Sequence, residues 1–203
     1  RAAVSDLQNA PSANGNAYIE SESFAEETVR DRFEFPIYKT ADVYQVRNRV
    51  KSVIALVREV MLDEAPLSEE WIIKRLAPLY GRNKVTSAVT AQFRRDMYGC
   101  EREGIVRKNG FLYFKDKPAP MLRVPEEGSA PREIKHISAE ELAEGLREIL
   151  RRNVSAQKSG LYALIAKELG FSRVGESIRA HLDDALAYLG DEIEYDGETL
   201  SLR

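Results

Sequence analysis

One cysteine, two histidines and one tryptophan occur in 203 residues, and each scarcity closes off a class of chemistry. Cys100 alone cannot form an internal disulfide, and with only His136 and His181 beside it no four-ligand zinc site can be assembled from these residue types. A reducing, cytoplasmic setting is expected. No apolar run approaches the roughly 20 residues that span a bilayer. The N-terminus has neither a basic start followed by an apolar stretch nor an initiator Met. The expectation is a soluble piece of a longer chain with no membrane partner. A Gly-rich phosphate loop, an HExxH helix and a nucleophile spaced beside a base are also missing. No catalytic residue, no metal and no cofactor are therefore assigned.

What is present is charge, unevenly placed. The whole chain carries a net charge of −3, a poor match to a nucleic-acid partner. Residues 44–118, however, hold 15 basic and 9 acidic side chains, whereas residues 138–203 hold 8 and 13. Residues 1–43 are acidic and residues 119–137 neutral.

Residues 1–35, rich in Ala, Ser, Asn and Glu, lack the apolar groups needed to offset the entropy of ordering and read as a linker. The aromatic stretch FEFPIY, Phe33 to Tyr38, is expected to lie extended against the domain that follows. Asp42 and Gln45 form a capping pattern before a helical stripe running from Val46 to Met61. Ser68 should cap a second helix with Ile72, Leu76, Leu79 and Tyr80 inward. A third helix is expected to turn Val85, Val89, Phe93, Met97 and Cys100 inward. The period then changes, because IVRKNGFLYF, Ile105 to Phe114, alternates around Asn109-Gly110, the strongest short signal for a hairpin turn.

Three helices and a hairpin describe a winged helix, and the pattern is written twice. The Pro-rich segment after Lys117 reads as a connector. Ser138 and Glu141 then open a helix through Leu142, Leu146, Ile149 and Leu150. Leu161, Ile165 and Leu169 mark another, and Val174, Ile178, Leu182, Leu186 and Leu189 a third. IEYDGETLSL closes with Asp196-Gly197 as its expected turn. Core positions of residues 49–103 match residues 138–192 without a gap, a far stronger signal than any single motif. The expected fold is mainly α with small β-hairpins: two tandem winged-helix domains, 36–118 (basic) and 138–203 (acidic), joined by the connector 119–137.

In such modules the third helix enters the major groove and the hairpin approaches phosphates. With the apolar stripe inward, the candidate nucleic-acid-binding residues are Lys84, Ser87, Thr90, Arg94 and Arg95, with Arg107 and Lys108 on the hairpin. An ordinary solvated face is the alternative, since Lys and Arg populate any helix surface. The second copy places Glu176, Asp183 and Asp184 outward and would repel phosphates. Trp71 reads as a core or interface anchor, Cys100 as a buried thiol, and both histidines as non-catalytic.

The order EAPLSEEWIIKRLAPLYGRNKVTSAV, EREGIVRKNGFLYF, MLRVP, ISAEELAEGLREIL and LIAKELGFSRVGESIRAHLDDAL resembles the uncharacterised C-terminal domain of large bacterial superfamily 1 helicase-like proteins. The repeated turns Gly81 to Val85 and Gly170 to Val174 are its most specific part. The resemblance implies an upstream helicase or ATPase core and an endonuclease-like domain, with this chain as an accessory and not the motor. DNA and those upstream domains are the implied partners. A protein-interaction or autoinhibitory module on the same fold is the competing expectation.

Overall fold

The computed structural model describes residues 33–118 and 120–203; of the linker expected at residues 1–35, residues 1–32 lie outside the described residues, and Phe35 is buried rather than part of a linker. The described residues form seven α-helices and two three-stranded antiparallel sheets, a mixed α+β arrangement. Asp42 accepts hydrogen bonds from the backbone N–H groups of Tyr44 and Gln45 and starts α1, Val43–Arg49. The apolar stripe expected to run unbroken to Met61 is divided here. Val50 is extended, and the Ser52 hydroxyl accepts the Ala55 N–H and caps a new helix, α2, Val53–Glu64. A capping serine inside the stripe competes with the helical backbone and wins.

After Pro66 the chain makes a two-residue strand, β1 (Leu67–Ser68), before α3 (Glu69–Leu76), capped by the Ser68 hydroxyl. Leu79, expected inward, is exposed, because α3 gives way to a 3-10 turn over Ala77–Tyr80 that ends at Gly81 with φ 67°. Val85 is also outside the expected stripe. Thr86 caps α4, Ser87–Asp96, so Val85 precedes the helix and is 41% exposed, while Val89 and Phe93 face the core. Met97 and Cys100 are buried beyond the helix end. The hairpin β2 (Ile105–Lys108) and β3 (Phe111–Phe114) turns at Asn109 and Gly110, both with positive φ, as expected. β1 completes the sheet by pairing Leu67 with Leu112.

The same element order returns. α5 (Ala139–Asn153), capped by Ser138, is followed by β4 (Ser155–Gln157), α6 (Lys158–Glu168), α7 (Glu176–Leu189), β5 (Ile193–Asp196) and β6 (Thr199–Leu202). Strand orders β1-β3-β2 and β4-β6-β5 correspond. The second hairpin does not turn at Asp196-Gly197 as expected. Asp196 pairs with Thr199, so the turn is Gly197-Glu198, with positive φ at Gly197 alone. A turn with glycine first needs no second permissive residue.

Two separate cores result. One is built on Val57, Ile72, Phe93 and Leu112, the other on Leu146, Ile165, Leu182 and Leu200. The segment 119–137, expected as a connector, contributes to the second core. Leu122 is fully buried, and Gly145 makes room for it, since a Cβ on Gly145 would lie 2.8 Å from Leu122 Cδ2. The aromatic segment also differs from expectation. Phe35 packs into the second core rather than the first, and Ile37 forms a parallel bridge with Val124, through Tyr38 N–H to Val124 O (2.8 Å) and Val124 N–H to Pro36 O (2.9 Å).

Candidate nucleic-acid interface

The outer side of α4 exposes Ser87, Arg94 and Arg95, with Thr90 half-buried, and Lys84 is exposed in the turn before it. Arg94 Nε donates to Glu69 Oε1 at 3.1 Å, and Arg107 Nε lies 3.5 Å from Glu69 Oε2. Glu69, the first residue of α3, thus draws together a cation from α4 and one from β2. Arg107 also stacks over the Phe93 ring, 6.0 Å from its centroid. Arg95 donates to Gln92 Oε1 at 2.6 Å, and Gln92 in turn donates to Asp96, which accepts from Tyr80. Burial, and then the bond to Asp96, pushes the Tyr80 phenol well above its usual range, so it stays a donor.

Lys108 departs from the group. Its ammonium sits 2.9 Å from Glu140 Oε1 and 5.5 Å from the Tyr188 ring centroid, both in the second half. The bond to Glu140 raises the Lys108 pKa and keeps the charge, but that charge is spent on the junction. Of the seven candidates, Arg94 and Arg107 share Glu69 as a partner, Ser87, Thr90 and Arg95 lie on α4, Lys84 leads into it, and Lys108 faces elsewhere. Glu69 is the residue that sequence reasoning missed. Its signal was an acid in the first turn of a helix, where the macrodipole favours one.

The second half holds the same bridge with its charges exchanged. Lys158, at the start of α6, lies 2.8 Å from Asp183 on α7, as Glu69 of α3 lies beside Arg94 of α4. Asp183 also accepts from Tyr162 at 2.6 Å. The bonds to Lys158 and then Tyr162 hold its carboxyl below the usual range. Part of the charge contrast between the helices is therefore one swapped ion pair, neutral in either half.

The two halves meet through buried charge. Glu64 accepts Arg75 Nη1 at 2.7 and 2.8 Å and Tyr38 OH at 2.5 Å. Glu141, with no exposed surface, accepts Arg123 Nη2 at 2.7 Å and Arg132 Nη2 at 2.5 Å, and Arg123 Nη1 reaches the Asp63 carbonyl at 3.2 Å. Both guanidiniums also lie over the Tyr38 ring. Burial pushes the Glu141 carboxyl up, but Arg132 and Arg123 outweigh it and hold it below the usual range. No hydrogen bond or ion pair among the described residues links α4 to the second half.

Cys100 is buried, which raises its pKa, and its thiol faces the Ile105 carbonyl at 3.7 Å. Among the described residues no three His, Cys, Asp or Glu side chains cluster as a metal site, and no helix is long and apolar enough to cross a membrane. No protein family, curated protein or solved structure significantly matches the chain.

Proposed function

We propose that each half is a winged helix and that the first is a non-catalytic DNA-contacting module, an accessory to a cytoplasmic helicase- or nuclease-type protein. The observation that carries this reading is that Glu69 holds Arg94 from α4 and Arg107 from the hairpin on one side of the first half, with Arg95 and Lys84 exposed on α4 and before it. A helix and a wing presenting cations together suit adjacent phosphates, and the hydroxyls of Ser87 and Thr90 lie on the helix that would enter the groove. Lys108 is left out of the contact set because its ammonium lies against the second half, between Glu140 and the Tyr188 ring. Four cations remain, and Glu69 offsets one of their charges, so neutralising about 3 phosphates gives a log–log salt slope of about −2.7.

Fluorescence anisotropy with a labelled duplex tests this. Changing both Arg94 and Arg95 to Glu weakens binding to unrelated sequences alike, whereas Lys108→Ala leaves the salt slope unchanged. Absence of binding at low salt, or indifference to the double change, overturns it.

The swapped pairs Glu69–Arg94 and Lys158–Asp183 favour a second reading. If Arg94 serves mainly to tie α3 to α4, as Asp183 ties α6 to α7, the fold is a protein-interaction or autoinhibitory module. The same titration separates the two.

A further inference from the structure

A cleft of about 650 Å³ opens on the other side of α3, walled by Ile37, Trp71, Pro125, Pro131 and His136. The nucleic-acid reading uses none of these residues. Two of them carry unsatisfied hydrogen-bonding groups. In the parallel bridge to Val124, Pro36 C=O and Tyr38 N–H point to the partner, so the N–H and C=O of Ile37 point to the opposite edge. Among the described residues they have no hydrogen-bond partner, and Ile37 is 51% exposed. An open stretch of extended backbone is a template for another strand.

The second group is His136. Its side chain is only 6% exposed, and Nε2 has no hydrogen-bond partner among the described residues. Nδ1 lies 2.9 Å from the Ser68 hydroxyl, which already accepts the Trp71 N–H. The buried Ser68 proton has no other acceptor among the described residues, so Ser68 donates to Nδ1, and the neutral ring then carries its proton on Nε2. Burial lowers the His136 pKa, outweighing Glu133 and Glu70, in keeping with that neutral form. A buried donor without an acceptor forfeits its hydration with nothing in return. Glu133 Oε1 stands 4.0 Å away, beyond hydrogen bonding, and is itself paired with Lys74 and Lys135. A backbone carbonyl is the acceptor that an extended segment lying along the Ile37 edge would bring.

We propose that this cleft binds a peptide in extended conformation, which pairs with the free edge of Ile37, offers a carbonyl to His136 Nε2–H, and packs an apolar side chain between Trp71 and Pro131. Backbone pairing supplies the affinity and the Trp71 wall the side-chain preference, the division of labour found when a strand is added to a sheet edge. A small amide could satisfy His136 alone but not the Ile37 edge as well.

Trp71 is the sole tryptophan, so its emission reports the cleft without a label. The whole chain is used to select from a displayed library of random dodecapeptides, and the enriched peptide is then synthesised and titrated against Trp71 emission. Ala130→Arg places a bulky group at an exposed position on the cleft, and His136→Gln removes the ring donor while leaving an amide near Ser68. Each change weakens binding by at least about tenfold, or about 1.4 kcal/mol. Circular dichroism confirms that the variants fold, and Ala130→Arg decides the matter if His136→Gln does not. No enrichment over Ala130→Arg as bait, or binding indifferent to Ala130→Arg, overturns the proposal. Added duplex leaves the peptide affinity unchanged.

Discussion

Replacing Glu141 with Gln removes one negative charge at the point where two buried guanidiniums meet. Glu141 has no exposed side-chain surface, and the side chains of Arg123 and Arg132 are only 8% and 12% exposed. Glutamine keeps the shape but leaves both cations short of a counter-charge, and breaking a buried pair from one side costs about 3–5 kcal/mol. For a folded unit of this size each kcal/mol moves the melting temperature by about 2–4 °C, so Glu141→Gln lowers it by roughly 6–20 °C. Lys74→Gln is the control. Its partner Glu133 lies 3.8 Å away with both side chains more than half exposed, a pair worth about 0–1 kcal/mol. Urea unfolding followed by circular dichroism gives both values. The dependence on pH adds an internal check. The folded-state pKa of Glu141 is depressed below 4.5, so its contribution is fully present above the unfolded value and is lost as pH falls through the folded one. The gap between Glu141→Gln and the parent chain must therefore close on acidification below about pH 4. A variant within about 1 kcal/mol of the Lys74→Gln control at pH 7 would refute the reasoning.

Further outcomes follow from other contacts. Gly145→Ala places a Cβ against Leu122 and Ile165 and destabilises by about 1–3 kcal/mol, measurable by urea unfolding, whereas a neutral result would mean that the helix shifts freely. Exchanging Glu69 and Arg94 copies the Lys158–Asp183 arrangement. Because position 69 also faces Arg107, the exchange turns that attraction into repulsion and lowers stability by about 1 kcal/mol, which adding Arg107→Gln restores, while duplex affinity shifts; a loss that Arg107→Gln does not restore would show that the two bridges are not equivalent. Gly197→Val, at φ 61°, strains the second hairpin by about 1–2 kcal/mol, and an unchanged melting curve would contradict a left-handed turn there.

Periodicity alone made the helices and both hairpins legible, because apolar residues at 3.6 and 2.0 spacing record which face is buried, and the repeat was visible for the same reason. Ser68, Asp42 and Ser138 announced their caps correctly, since a cap is a local bond over three residues. Ser52 divided a stripe that periodicity joined, because the apolar spacing continues across a break that only the backbone geometry reveals. β1 is two residues long, too short for alternation, and exists because β3 offers it an edge. Composition made the segment 119–137 read as a connector, yet Leu122 and Arg123 are buried there by partners far along the chain. The candidate site divided in the same way. Exposed cations on α4 could be read from helix spacing, but the pairing of Arg94 and Arg107 on Glu69, and the diversion of Lys108 to Glu140, depend on residues 25 and 32 positions apart meeting in space. Charge in a sequence is a sum over residues, whereas charge on a surface depends on which neighbours the fold brings within a few ångströms, and that was decided by tertiary structure alone.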